Sequence, residues 1–393
     1  MIRFRPGLVL AVTGGGPGLE EVLAEVEGKE EMAINYPLLT GPVKEGDRVL
    51  LNTTAVDKGL GTGGYHFVAA VEGNNVSDPK VEGHIMKLRY TPLQVKVLSV
   101  EEEEHPARGL YRSVRELAGL PVVVGTLHSM LAPVAAAFKA VAGPGARLFY
   151  LMTDGAALPI WLSRLVRQLK EKGLVDGTIT CGHAFGGDHE AINVYSGLLW
   201  AKAAGADLAV VAMGPGIVGS AAEFGHTGLE QGEIINAVNI LGGAAIGIPR
   251  ISFADPRERH RGVSHHTRTA LGKVALTPCV VTLPALAGEK KALVQSQLAG
   301  SGILGRHQLV EVDTSSLPGI MEHFGLEVTS MGRSMGQDPE FFHAAGAAGI
   351  YAARLVQAGA DKLSDTAVSA GISQSQNEIA HTAGEEYAIS GQE

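Results

Sequence analysis

A single break in rhythm limits what this chain can fold into. Up to about Val100, short Val, Leu and Ile runs alternate with charged residues and are punctuated by Gly, Pro and Asn-Asn. That is the pattern of strands and tight turns, and no helical stripe runs through it. Glu101-Glu102-Glu103-Glu104-His105-Pro106 then sets four like charges and a proline in a row. Beyond it, apolar runs of strand length alternate with longer amphipathic segments, the order expected of repeated βα units and a parallel sheet. Runs such as Leu208-Ala-Val-Val-Ala212 are apolar without alternation, as strands covered on both faces are. The predicted fold class is therefore α/β, a predominantly parallel sheet with helices on both faces, preceded by a small β-barrel-like N-terminal domain. The expected divisions are 1–105 for the barrel-like part, 106–335 for the α/β part and 336–393 for a C-terminal helix and mobile tail.

Strands are expected in the first part at Leu8–Thr13, Glu20–Val26, Arg48–Asn52, His66–Val71 and Gln94–Val100. In the second they fall at Pro121–Thr126, Arg147–Asp154, Gly177–His183, Asp207–Gly214, Arg250–Asp255, Leu276–Pro284 and His307–Asp313. Helices lie between them at Met130–Val141, Leu158–Lys172, His189–Ala204, Gly232–Ala245, His260–Val274 and Glu289–Leu298. Asp338-Pro339 reads as an N-cap and first-turn proline opening a last helix to about Ala358. The Ser/Gln/Glu-rich end beyond Asp361 has little to bury and is expected to be mobile or an arm onto a partner.

Composition narrows the function classes. Thirty-two basic against forty-one acidic side chains give a net charge of −9, which opposes a nucleic-acid backbone or an anionic membrane as partner. The longest apolar runs are about half the ~20 residues that span a bilayer. Two cysteines, Cys181 and Cys279, build no disulfide framework, so a cytoplasmic protein is expected. A homodimer is the default oligomer.

In parallel sheets the ligand crevice lies beyond the carboxyl ends of the strands. Those ends carry Gly125-Thr-Leu-His128, Thr153-Asp154, Cys181-Gly-His183, Gly186-Gly-Asp188-His189, Gly214-Pro-Gly216-Ile-Val-Gly219-Ser220, Phe224-Gly-His226-Thr-Gly228, Asp255-Pro-Arg257, Arg259-His260-Arg261 and Ser264-His265-His266, so seven of the fourteen histidines cluster at or just after them. The candidate catalytic residues are His128, Asp154, His183, Asp188, Asp255 and His260. Carboxylates and imidazoles on separate strand ends suit acid–base work or metal ligation. No established metal signature is present, and the competing reading has Asp188 capping a helix and the histidines bonding loop carbonyls. His265-His266 lie in an expected helix, where neighbours point about 100° apart, so one of the two is expected to be plain surface.

Gly214, Gly216, Gly219 and Ser220 form the candidate anion- or cofactor-binding loop, with Gly-permitted approach of backbone donors. The dinucleotide fingerprint is incomplete, because Gly225 and Gly228 interrupt the following helix and no strand-terminal acid stands about twenty residues on. A second glycine run, Gly59–Gly64, leads into a strand and reads as a hairpin or flap. Cys181 is the commoner buried strand-end thiol, and no P-loop or nucleophile elbow occurs. Arg257, Arg259, Arg261 and Arg268 either bind an anionic substrate or form a solvated helix end.

Four stretches, Gly59-Leu-Gly-Thr-Gly-Gly-Tyr-His-Phe67, Thr153-Asp-Gly-Ala-Ala157, Cys181-Gly-His-Ala-Phe-Gly-Gly-Asp-His-Glu-Ala191 and Met213-Gly-Pro-Gly-Ile-Val-Gly219, resemble the DUF3866 family of uncharacterised bacterial proteins. The resemblance implies a shared architecture over almost the whole length and brings no activity, cofactor or site residue. From the residues alone, the leading expectation is an enzyme acting on a small anionic metabolite by acid–base or metal-assisted hydrolysis or group transfer. The alternative is a non-catalytic metabolite-binding or regulatory protein, and a third reading is a structural oligomer. The metal and the cofactor stay unassigned.

Overall fold

The computed structural model describes residues 2–60, 63–73, 82–156 and 158–359. The tail expected beyond Asp361 and part of the Gly59–Gly64 turn lie outside these residues.

The N-terminal strands are β1 (Phe4–Gly16), β2 (Leu19–Val26), β3 (Lys29–Asn35), β4 (Arg48–Asn52) and β5 (His66–Val71). They close into a barrel in the order β1-β2-β3-β5-β4. Alternation does the sorting: in β4, Val49 and Leu51 point inward and Arg48 and Leu50 outward. Val9, Val22, Ala24, Val26, Ala33 and Val68 complete the small core. The two register shifts along β1 let one long strand bend around it. β3 was not among the expected strands. Its opening Lys29-Glu30-Glu31 reads as a charged turn, and only Met32–Asn35 carries the buried half. One-turn helices α1 (Pro37–Thr40) and α2 (Thr54–Asp57) connect the barrel strands.

A two-stranded ribbon, β6 (Ile85–Lys87) and β7 (Val95–Val97), follows. It is nailed to the sheet by buried Lys87, whose Nζ donates to Thr180 O (3.0 Å), Ala184 O (2.6 Å) and Glu190 Oε2 (2.7 Å). The glutamate run is not uniformly solvated. Glu102 is buried and accepts from the backbone N–H groups of Ser99 and His84, both at 2.6 Å. A short helix, α3 (Arg108–Ser113), leads away from the run.

The main sheet comprises β8 (Pro121–Val124), β9 (Leu148–Thr153), β10 (Gly177–Cys181), β11 (His189–Ala191), β12 (Leu208–Met213), β13 (Ala244–Gly247), β16 (Val280–Pro284) and β17 (Gln308–Val312). Its order is β11-β10-β9-β12-β8-β13-β16-β17, with every pairing parallel. β8, β9, β10 and β12 are buried along their whole length. One face is covered by α4 (Leu131–Ala142), α5 (Arg164–Glu171), α10 (Leu317–His323) and a last helix, α11 (339–359). The other is covered by α6 (Val194–Ala203), α7 (Glu230–Ile240), α8 (His265–Thr269) with its π-helical continuation Ala270–Val274, and α9 (Gly288–Gly300). Pro339 opens α11 as expected. Asp338, in the cap position, spends its carboxylate on Ser252 Oγ (2.7 and 2.9 Å) and Arg333 Nε (3.1 Å).

Two expectations are corrected. The fifth sheet strand is Ala244–Gly247, where a helix end was expected. Arg250–Asp255 instead contributes only β14 (Ile251–Ser252), paired with β15 (Gly262–Val263) outside the sheet. Ala-Ala reads as helix from composition, yet Gly242-Gly243 ends α7 and the next four residues fall beside β8. His189–Ala191, expected in a helix, is the edge strand β11 beside β10, and α6 begins after Asn193, whose Oδ1 accepts from Ser196 N at 3.1 Å. Among the described residues no helix is long and apolar enough to cross a membrane.

Candidate functional site

β8 and β12 are neighbours, but their following loops part. The chain from β8 crosses to α4 on one face and then β9, while the chain from β12 crosses to α7 on the other face and then β13. Such a divergence opens a crevice at the carboxyl ends of the two strands. The loop after β12 fills it from above. It folds back on itself through a Gly219/His226 bridge, with Ser220 N donating to Gly225 O (2.7 Å) and Thr227 N to Val218 O (2.9 Å). The four candidate cradle residues, Gly214, Gly216, Gly219 and Ser220, belong to this loop. The Ser220 hydroxyl is engaged within it, donating to Gly225 O at 3.2 Å.

The fold-back carries His226 onto the first turn of α8. That turn begins at Ser264, whose Oγ accepts from His266 N (3.2 Å). The His226 ring stacks on His266 with centroids 3.9 Å apart, and His265 lies 4.3 Å from His266 and 5.7 Å from His226. His260 completes the group, 4.9 and 5.0 Å from His265 and His266. Both adjacent histidines therefore join one cluster, against the expectation that one is plain surface. They open the helix, and His226 arriving from outside spans the angle between them. Gly219 permits this approach, since a Cβ there would stand 2.9 Å from His226 Cβ and 3.1 Å from His266 Nε2.

Burial and the neighbouring cations keep these rings neutral. Desolvation, then the other histidines and nearby arginines, pulls His265 down to about 4 and His266 to about 2. His260 falls to about 3 by burial, Arg250 and Arg257, and His226 is lowered by burial against a smaller opposing contribution from the backbone of Glu223. His260 Nδ1 pairs with Ser264 Oγ (2.7 Å). By contrast Nδ1 and Nε2 of His226, Nε2 of His265 and Nδ1 of His266 are buried without a partner among the described residues. An unsatisfied buried polar group costs about 1–3 kcal/mol, so four in one cluster mark a place built to meet something else.

His265 also forms the wall of an adjoining cleft of about 410 Å³ lined by Arg259, Arg268, Lys273 and Glu223. Lys273 pairs with Glu223. The Nε atoms of Arg259 and Arg268 are buried and unpartnered, and neither side chain has an acidic partner among the described residues. Arg257 is employed elsewhere. Together with buried Arg250 it clasps Asp255, whose oxygens accept from Arg257 Nε (2.9 Å) and NH2 (2.8 Å) and Arg250 NH2 (3.0 Å), with Arg333 at 3.5 Å. The hydrogen bonds from Arg257 hold the Asp255 carboxyl far below the usual carboxylate range. Burial lowers Arg250 to about 10.

On the β9 side of the crevice, Thr153 Oγ1 donates to Glu230 Oε1 (2.7 Å). Burial, with Asp154 and Glu233 nearby, raises the Glu230 carboxyl to about 7. Asp154 Oδ2 accepts from His183 N (2.7 Å), and His183 Nδ1 accepts from Leu88 N (3.0 Å), tying the ribbon to this rim. Thr126 lies across β8, its Oγ1 buried and unpartnered.

The six candidate catalytic residues are thus not brought to one point. His260 and Asp255 belong to the histidine and arginine groups, and Asp154 and His183 touch each other. His128 lies beneath the end of β12, paired with Tyr150 Oη (3.0 Å) and Ser163 Oγ (2.6 Å), and burial lowers it to about 4. Asp188 is carried back to the start of β10, because β11 pairs His189 with Ile179. There it accepts from Thr178 N and Oγ1 (both 2.9 Å) and pairs with Lys170. Burial pushes the Cys181 thiol up to about 12, which suits a core residue. The residues that reading the sequence left out of the site are Glu230, His226, His265 and His266. His226, His265 and His266 stand among the strand-end histidines visible in the sequence, and Glu230 opens α7 after the loop that follows β12.

The family described as "Protein of unknown function (DUF3866)" matches residues 32–349. Nothing among curated proteins matches the chain. One solved structure, a "putative fructose-1,6-biphosphate aldolase" from Coccidioides immitis, aligns at 11% identity over 65% of this chain and 97% of that chain, with a TM-score of 0.17. At that score the likeness carries no argument.

Proposed function

The chain belongs to the DUF3866 family, whose description assigns no chemistry, and from the site itself we propose an enzyme that acts on a small anionic metabolite by acid–base or metal-assisted hydrolysis or group transfer. The observation that carries this reading is the cleft of about 410 Å³ beside the histidine cluster, where Arg259 and Arg268 have no acidic partner among the described residues. Two guanidiniums left unpaired at the strand ends are a receptor for phosphate or carboxylate oxygens, which they bind in a planar, bidentate manner. The crevice also holds a proton carrier suited to neutral pH, since Glu230 at about 7 both gives and takes a proton there. Asp154 lies close enough to raise the Glu230 carboxyl further.

The test is binding first and turnover second. Inorganic phosphate titrated calorimetrically into the full chain is expected to bind, and the Arg259→Gln/Arg268→Gln double variant to bind at least about 10-fold more weakly, the share of one or two charge-assisted hydrogen bonds. Unchanged phosphate affinity in a folded double variant defeats the anion assignment. Phosphate esters, acyl esters and amides are then screened for product with divalent metal supplied. Saturable binding with no product from any class replaces the enzyme by a metabolite sensor.

A further inference from the structure

We infer that His226, His265 and His266 form a binding site for one divalent transition-metal ion of the zinc class, with its open coordination face turned toward the arginine-lined cleft. The inference goes beyond the function proposed above and stands without it, because metal binding is a property of three imidazoles whether or not turnover follows.

Two observations meet at this site. The first is geometric: each residue offers a ring nitrogen, and these nitrogens lie within 4.8 Å of one another. Modest ring rotations bring three such atoms to the ~2.0–2.1 Å that zinc–imidazole bonds require. The second is the state of the nitrogens. His226 is 7% and His266 5% exposed, yet both nitrogens of the first and Nδ1 of the second, with Nε2 of His265, have no hydrogen-bond partner among the described residues. His128, buried in the core, has both of its nitrogens bonded.

The donor set selects the ion. Three nitrogens without a carboxylate suit zinc, cobalt, nickel, copper or iron(II) and suit magnesium and calcium poorly. The ring of His260 stands behind His265 and His266, and its Nδ1 pairs with Ser264 Oγ, the hydroxyl that caps the helix bearing both ligands. It is a positioning residue for the pair. His265, half-buried, borders both the cluster and the cleft, so a fourth ligand comes from water or from the anion held by Arg259 and Arg268. Three protein ligands and an exchangeable fourth position are the arrangement of a metal that does chemistry. The second acid-and-imidazole group, His84 with Glu102 and Glu104, serves as an internal control: Glu102 is already engaged by the backbone of Ser99 and His84.

The experiment uses the full chain, stripped with a chelator and titrated with cobalt(II) alone, read by visible absorption and by metal content after gel filtration. One cobalt per chain is expected, with the intense bands of a tetrahedral nitrogen site. His265→Ala, at the least buried of the three positions, is expected to weaken binding by more than about 100-fold, beyond the roughly 10–100-fold that a supporting residue commands. His226→Asn is expected to do the same, and His84→Ala to leave stoichiometry and affinity as they were. Cobalt is also expected to raise the melting temperature of the wild type and not of His265→Ala. A folded His265→Ala that binds as the wild type does, loss of binding in His84→Ala alone, or no cobalt retained by the wild type each overturns the site. None of these outcomes touches phosphate binding by the arginines, so failure of the metal site is separable from failure of the proposed function.

Discussion

Beneath the end of β12 and beside the first turn of α8, the protein buries imidazoles in opposite ways. His128 has Tyr150 on one nitrogen and Ser163 on the other. Both partners are themselves held, because Tyr150 Oη donates to the carbonyls of Ala212 and Met213 and Ser163 Oγ caps α5 by accepting from Val166 N. At α8 the rings of His226, His265 and His266 meet one another instead, with four nitrogens unpaired. The same desolvation lowers all of them, so a shifted pKa does not tell the two regions apart. The bonding of the nitrogens does. A closed network fixes the loops of the sheet, and an open one keeps capacity for a ligand.

The clasp at Asp255 is the closed kind at its most costly. Replacing Asp255 by Ala leaves buried Arg250 and its neighbour Arg257 without their carboxylate, while Arg333 keeps Asp338. The expected loss is about 3–5 kcal/mol in urea unfolding, the range for breaking a buried pair. If stability instead holds within about 1 kcal/mol and phosphate binding disappears, Asp255 moves to the ligand-facing side of the comparison.

Glu230 lies between the two kinds, with one oxygen bonded to Thr153 and its surroundings hostile to charge. Its folded pKa of about 7 stands above the ordinary 4.5, so the folded state binds the proton more tightly. The resulting stability is complete below the unfolded value and declines as pH rises from about 4.5 through 7, by up to ~3 kcal/mol. Thr153, Asp154 and Glu233 are the groups that set it. Glu230→Gln mimics the protonated form and is expected to flatten this part of the stability profile, measured by denaturant melts from pH 4.5 to 8. An unaltered slope would show that other groups carry it.

How far this was legible follows from where each element gets its information. Strands β8, β9 and β12 stand out because four to six largely apolar residues are bounded by turn formers. β13 is hidden because Ala-Ala-Ile-Gly lacks β-branched bulk apart from Ile246 and follows directly on a helix. Asp188 looked like a strand-end carboxylate, since nothing local says that Gly182–Gly187 reverses the chain and delivers it to Thr178. His226, His265 and His266 each stood at a strand end in the sequence, but their meeting was hidden for the complementary reason. His226 and His265 are nearly forty positions apart, and their meeting depends on a loop folding back and on a helix beginning at Ser264. The arginines were visible as a group, but which of them Asp255 would consume was a matter of tertiary placement.

The smallest effect is expected where the closed network is most redundant. In His128→Leu a side chain of similar bulk fills the space, and neither partner is orphaned, since Tyr150 keeps the carbonyls of Ala212 and Met213 and Ser163 keeps Val166 N. What goes is two net hydrogen bonds at about 0.5–1.5 kcal/mol each, partly offset by removing a polar ring from an apolar site. A loss of about 1–2 kcal/mol in thermal unfolding is therefore expected, with cobalt and phosphate binding unchanged. The same replacement at His265 is expected to cost less stability and to remove cobalt binding. Should His128→Leu weaken either ligand instead, hydrogen-bond closure would fail as the criterion that separates the imidazoles holding this fold from those facing its ligand.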